Sequence, residues 1–208
     1  MNTDRISVAM ATYNGERFLR DQLDSLYNQT RLPDEVVVSD DCSEDGTVGI
    51  LEEYHRKYGL KYTVNDTREG VNRNFEKAIR GCTGDYIIIS DQDDIWFPDK
   101  IEKQVYAIGD YDICCSNCLK GTSLEDSIPS PYNNFNFERL LFCSNVPGHT
   151  MLCKQSFIQN ENNWFDSIWY DWSLSLHASL GNGIIKLRES LNWHRKHNQE
   201  ISTQFFPL

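Results

Sequence analysis

The chain has 208 residues, with 20 Lys and Arg against 31 Asp and Glu for a formal charge of −11; it is 39% hydrophobic and 25% charged. That length supports one domain with its own core, and the acidic balance disfavours a nucleic-acid backbone or an anionic membrane surface as partner. No apolar run approaches the ~20 residues of a membrane span, MNTDRISVAM lacks the layout of a signal peptide, and seven cysteines without an even framework point to a reducing cytoplasm.

Ile6 to Ala11 reads as a strand, after which Phe18, Leu19, Gln22, Leu23, Leu26 and Tyr27 fall on one face at helical spacing. Glu35 to Ser39 is a second strand, buried on both faces because it does not alternate. A helix from Thr47 to Tyr58 carries Val48, Leu51 and Tyr54 or His55 as its inward stripe. Lys61 to Asn65 is a third strand, Asn72 to Arg80 a short helix with Phe75, Ala78 and Ile79, and Asp85 to Ser90 the most apolar strand. After Ala107 the pattern loosens: strands at Ile113 to Ser116, Met151 to Lys154 and Ile184 to Leu187, short helices at Phe137 to Phe142 and Ser173 to Ala178, and a loop over Lys120 to Asn134. Cys115 and Cys118 have a CxxC spacing but no second pair, so they read as buried thiols rather than a zinc site. Strand and helix in alternation give an α/β class with a mostly parallel, Rossmann-like central sheet covered by helices on both faces.

In such sheets ligands bind beyond the carboxyl ends of the strands. Thr12-Tyr13-Asn14-Gly15, Asp40-Asp41 and Asp91-Gln92-Asp93-Asp94 all lie just past those ends. The last, within YIIISDQDDIW, sets three aspartates within four positions, and carboxylates so crowded need something positive among them. Alone, Asp91-x-Asp93 fits a site for Mg2+ or Mn2+ shared with diphosphate oxygens, an aspartyl nucleophile for phosphoryl transfer, or a solvated helix start. The nucleophile reading wants the motif on the first strand with a threonine after it, and here it follows the fourth.

The order ISVAMATYNGERFLRDQLDSLYNQT, PDEVVVSDDCSEDGT and REGVNRNFEKAIRGCTGDYIIISDQDDIWFPDKI resembles the inverting family 2 of nucleotide-sugar glycosyltransferases, which have the GT-A fold. The DQDDxW form is similar to the branch that includes bacterial rhamnosyltransferases and enzymes of O-antigen and capsule assembly. The resemblance runs from about Ile6 to Ile101 and is patchier beyond. It implies one glycosyltransferase domain over residues 1–208, with a nucleotide-sugar half to about 107 and an acceptor half over about 108–208.

By the same resemblance, Thr12, Tyr13, Asn14, Glu16, Asp40, Arg73, Asp91 and Gln92 bind the nucleotide sugar, and Asp93 with His197 holds Mg2+ or Mn2+. Asp171 is the base, kept ionised by a helix N-terminus, while Trp96, Gly148 and His149 face the acceptor. Asn14 with Gly15 also suits a turn and helix cap, and Asp41 and Asp45 suit caps of the following helix. The implied reaction is an inverting, metal-dependent transfer from a UDP-, dTDP- or GDP-linked sugar to a saccharide or lipid-linked saccharide. Peripheral contact with the inner face of the cell membrane stays open. The rivals are a silent sugar-nucleotide-binding module and a nucleotidyltransferase, although ATYNGERF lacks the glycine-rich basic loop of the latter.

Overall fold

A computed structural model of the chain describes residues 4–131, 137–143, 146–165 and 167–198. Strand β1 (Ile6–Thr12) lies at the centre of a parallel block, between β2 (Glu35–Asp40) and β4 (Tyr86–Ser90), with β3 (Lys61–Val64) outside β2. The helices between them are α1 (Leu19–Tyr27), α2 (Thr47–Tyr58) and α3 (Val71–Arg80). Gly59 ends α2 at φ 74, a left-handed turn that favours glycine, and its N–H closes on the His55 carbonyl.

Beyond β4 come β5 (Ile95–Trp96), α4 (Lys100–Ile108), β6 (Ile113–Gly121), β7 (Ile128–Pro129), α5 (Phe137–Leu140), a single turn at Gly148–Thr150, β8 (Met151–Lys154), α6 (Gln155–Ile158), α7 (Tyr170–Leu180) and β9 (Ile184–Arg195). Among the described residues they continue the same sheet in the order β3-β2-β1-β4-β8-β6-β9-β5, with β7 beside β6. Pairing turns antiparallel at β8, so the sheet is parallel on one side and mixed on the other.

The two faces of the strands bury separate cores, as alternation requires. Val8, Met10, Val38 and Ile88 pack with α1, α2 and α4, while Ala9, Val37, Ile87 and Ile89 pack with α3, α6 and α7. Each fully buried Leu or Ile contributes roughly 1.5–3 kcal/mol. The α1 stripe is buried as the spacing predicts, but in α2 Ile50 rather than Val48 joins Leu51 and Tyr54 inside. Cys115 and Cys118 are free and buried, and burial pushes both thiols up. Two expected strands are longer than their apolar runs: β6 continues to Gly121 and β9 to Arg195. Gln204 to Leu208 lie outside the described residues.

Candidate active site

The parallel strands deliver their polar ends to one rim. At the end of β1, Thr12 donates its hydroxyl to Asp40 at 2.7 Å, and Ser43 adds an N–H at 2.8 Å and a hydroxyl at 2.7 Å to the same carboxylate. Asp41 takes the N–H groups of Glu69 and Gly70 and the amide of Asn65, so it latches the loop before α3 instead of capping α2. Asp45 does meet the start of α2, accepting from the Thr47 N–H and hydroxyl.

Asn14 and Cys42 have φ of 46 and 64, left-handed values uncommon for residues with a side chain, which cluster at functional loops. Asn14 does not cap α1, whose N-cap Phe18 makes no side-chain bond; it receives the Glu44 N–H on Oδ1 and donates its own N–H to Ser43. Glu16 accepts from the Gly46 N–H, on the outer side of this loop pair. Gln92 bridges the loops after β1 and β4: the Tyr13 N–H donates to Oε1 at 2.9 Å, and Nε2 donates to the Tyr13 carbonyl at 3.0 Å. The Tyr13 ring carries the Arg68 guanidinium 3.9 Å from its centroid.

The three aspartates after β4 have three fates. Asp91 is half-buried, and among the described residues no side chain or N–H donates to its carboxylate. Burial, with the charges of Asp94 and Asp93 beside it, pushes it well above the usual carboxylate range. Asp93 is pushed up by burial and by Asp94, against the pull of His197, whose Nε2 lies 2.7 Å from Oδ2. Arg195 donates Nε to the Asp93 carbonyl at 3.2 Å.

Asp94 is wholly buried. Its oxygens lie 2.8 Å from His149 Nδ1 and 3.1 Å from His194 Nδ1, and it receives the Asn192 amide at 2.9 Å. Burial alone would lift Asp94, but the two imidazoles override it and hold the carboxyl well below its usual range. His149 itself is pushed down by burial, whereas the Asp94 hydrogen bond raises His194 despite burial. Lys100 lies below them, fully buried, donating to the His149 carbonyl and lying 5.0 Å from the Trp96 ring; burial pulls its ammonium down to about 8.

Opposite this turn, Asp171 sits in the first turn of α7 and accepts the N–H groups of Trp172 at 2.8 Å and Gly148 at 3.3 Å. These donors favour the anion, yet burial outweighs them and lifts the carboxyl to about 6. The helix N-terminus alone therefore does not set its charge. Asp171 is close enough to Asp91 to raise it further.

The structure brings Asp91, Asp93, Asp171, His197 and Gly148 together and corrects two expectations. Trp96 is 2% exposed within the core, so it offers no stacking face to an acceptor. His149 is 4% exposed and turned onto Asp94, away from an acceptor surface. Arg73 is exposed, pairs with Glu76 on its own helix, and lines a groove with Arg80, Glu161 and Trp164. Sequence reasoning missed the roles of Asp94, Lys100 and Asn192. One signal was there: Asn192 and His194 stand two apart on a strand, hence on one face.

The donor set suits a hard divalent cation. Asp93 and His197 offer an oxygen and a nitrogen 2.7 Å apart, and Asp91 adds a carboxylate that receives no donor among the described residues.

This sheet order and rim define an α/β protein of the GT-A class. Over 97% of the chain it superposes on Staphylococcus aureus TarS 1-349, solved with UDP-GlcNAc, at a TM-score of 0.79 and 21% identity, covering 61% of that chain. The Pyrobaculum calidifontis mannosyltransferase PcManGT, solved with GDP-Man and Mn2+, gives 0.75 at 20% identity over 98% of this chain and 60% of its own. The family model of glycosyl transferase family 2 matches residues 7–164, and the chain belongs to that family. In sequence it is 30% identical over 192 residues to the dTDP-rhamnosyl transferase RfbG of Shigella flexneri, covering 83% of this chain and 66% of RfbG. It spans 60% of the length of the mycobacterial relatives that it also matches. Among the described residues no helix is long and apolar enough to cross a membrane.

Proposed function

We propose that the chain is a metal-dependent, inverting glycosyltransferase that moves a sugar from a nucleoside-diphosphate donor to a hydroxyl of a saccharide or lipid-linked saccharide, in bacterial surface polysaccharide synthesis. The observation that carries this reading is Asp171: a carboxylate lifted to about 6, held by two backbone N–H groups, facing the Asp91–Asp93 rim. A base near neutrality is ionised enough to accept a proton and basic enough to take it.

In this reading Asp171 accepts the acceptor's hydroxyl proton as that oxygen attacks the anomeric carbon from the face opposite the diphosphate. Asp93 and His197 hold Mg2+ or Mn2+, with Asp91 on the ribose or donor sugar. When bound, the cation supplies charge stabilisation to the departing diphosphate. Thr12, Tyr13, Asn14, Glu16, Asp40, Arg73 and Gln92 are the donor-side residues in this assignment, and residues 1–107 and about 108–208 divide as donor and acceptor halves of one domain.

The ligands named for TarS and PcManGT support a sugar-nucleotide donor and Mn2+, and RfbG supports a deoxyhexosyl donor. Seven free cysteines suit the cytoplasm. The test is a thermal-shift screen of UDP-, dTDP- and GDP-sugars with and without Mn2+. One donor raises the melting temperature with the metal present, and Asp171→Asn keeps that shift while losing nucleotide release. If no nucleoside diphosphate shifts the transition under any metal condition, the reading fails.

A further inference from the structure

Asp94 is shut off from solvent, and side chains from two distant segments converge on it. Its partners His149, Asn192 and His194 come from the turn before β8 and the end of β9. The His149 and His194 rings stack at 4.7 Å, and Lys100 from α4 holds the His149 carbonyl. Asn192 places its Nδ2 between Asp94 at 2.9 Å and His149 Nδ1 at 2.8 Å, and its buried Oδ1 has no partner among the described residues.

Each histidine is joined by a short run of chain to a reactive group. On one side, His149 follows Gly148, whose N–H meets Asp171. Gly148 fits so tightly under Tyr170 that an added Cβ would lie 2.0 Å from the phenol oxygen, so this turn and the start of α7 move together. On the other, His194 precedes Arg195, which bonds the Asp93 carbonyl, and His197, which meets the Asp93 carboxylate.

We infer that Asp94 is a positioning residue that sets the distance between base and metal pair, acting on Asp171 through His149 and Gly148 and on Asp93 through His194, Arg195 and His197. The inference rests on the glycosyltransferase reading and deepens it. Asp94, His149 and His194 could also share a cation, their ligand atoms lying within 4.8 Å. Their direct 2.8 Å and 3.1 Å contacts, and the Lys100 ammonium at the same site, make them partners of one another instead.

The test follows Mn2+ binding to the full chain, with and without UDP, by loss of the free Mn2+ electron paramagnetic resonance signal, and the Gly148 amide by 1H–15N correlation spectra. Wild type binds one Mn2+. His194→Gln weakens Mn2+ by about tenfold, the lower end for a residue that orients a metal ligand, and leaves the Gly148 amide in place. His149→Gln shifts the Gly148 amide and keeps Mn2+ affinity within about twofold of wild type, a change too small for loss of a ligand-orienting contact. Asp94→Asn does both. A merely structural role moves both readouts together in either histidine variant, so that pair decides the matter even where Asp94→Asn fails to fold. Unchanged readouts in both histidine variants, or a second Mn2+ lost on Asp94→Asn, overturn the inference. Asp93→Asn separates the two proposals: if it keeps wild-type Mn2+ affinity, the glycosyltransferase reading falls instead.

Discussion

Asp40 and Asp41 close β2 with their carboxylates engaged by the chain itself, through Thr12 and Ser43 on one and Asn65, Glu69 and Gly70 on the other. Asp91 and Asp93 follow β4, on the far side of β1 along the same rim, and are treated differently. Asp91 receives no donor among the described residues, and Asp93 shares its carboxylate with one imidazole. Both clusters are runs of aspartates beyond a strand end, so residue type does not separate them. What separates them is whether hydrogen-bond donors of the fold reach the oxygens. Satisfied carboxylates act as fasteners, and unsatisfied ones keep an affinity for something external.

The sharpest way to break this contrast lies at Asp171, which belongs electrostatically to the β4 cluster. Under the proposed function, Asp171→Asn lowers sugar transfer by ~10³-fold, within the range for loss of a general base, read as nucleoside diphosphate release. Because burial lifts the group to about 6 and the proposed base would work ionised, wild-type kcat/KM is expected to rise as pH climbs through about 6 and to level off above it. A rising limb near the ordinary aspartate value would mean that burial does not tune the base.

The fasteners answer in stability instead. Asp41→Ala strands the N–H groups of Glu69 and Gly70 and the Asn65 amide, at about 3 kcal/mol in total. That is a fall in melting temperature of roughly 6–12 °C for a chain of this size. Glu35, at the opposite end of β2, gives a smaller effect. Burial would raise its pKa, but Lys61, Ser7 and Thr83 donate to it and bring it down to about 2. Its folded value is depressed, so its stabilisation is complete above the ordinary value of 4.5 and is lost as pH falls through about 2. Glu35→Gln costs about 2 kcal/mol at pH 7 and much less near pH 2, measured by urea unfolding.

The parallel half was legible because β1, β2 and β4 are apolar runs buried along almost their whole length, and the exposed edge strand β3 follows from β-branched and aromatic residues in K-Y-T-V. β5 was not, since two residues make a strand only by meeting Asn192 and Trp193, about a hundred positions away. β9 outran its apolar start because Arg188 and Glu189 are exposed, and pairing with β6 rather than pattern carries it on. At the site, motif order pointed to the rim where Asp91, Asp93, Asp171 and His197 come together. Trp96 and His149 were misplaced for one reason: an aromatic beside a motif does not reveal which side of the backbone faces the core. Lys100 was invisible because a lysine opening a helix ordinarily points into water.

The Gln92 bridge limits how the mouth of the cleft can adjust. Two bonds from one amide to the Tyr13 backbone reproduce, with a side chain, the rung of a ladder, so the loops after β1 and β4 share one outline and do not splay. A purine and a pyrimidine differ in width, and this rim has little slack with which to accommodate the difference. In the proposed donor site, discrimination between bases then falls to mobile side chains such as Arg68, which lies over the Tyr13 ring from an exposed position.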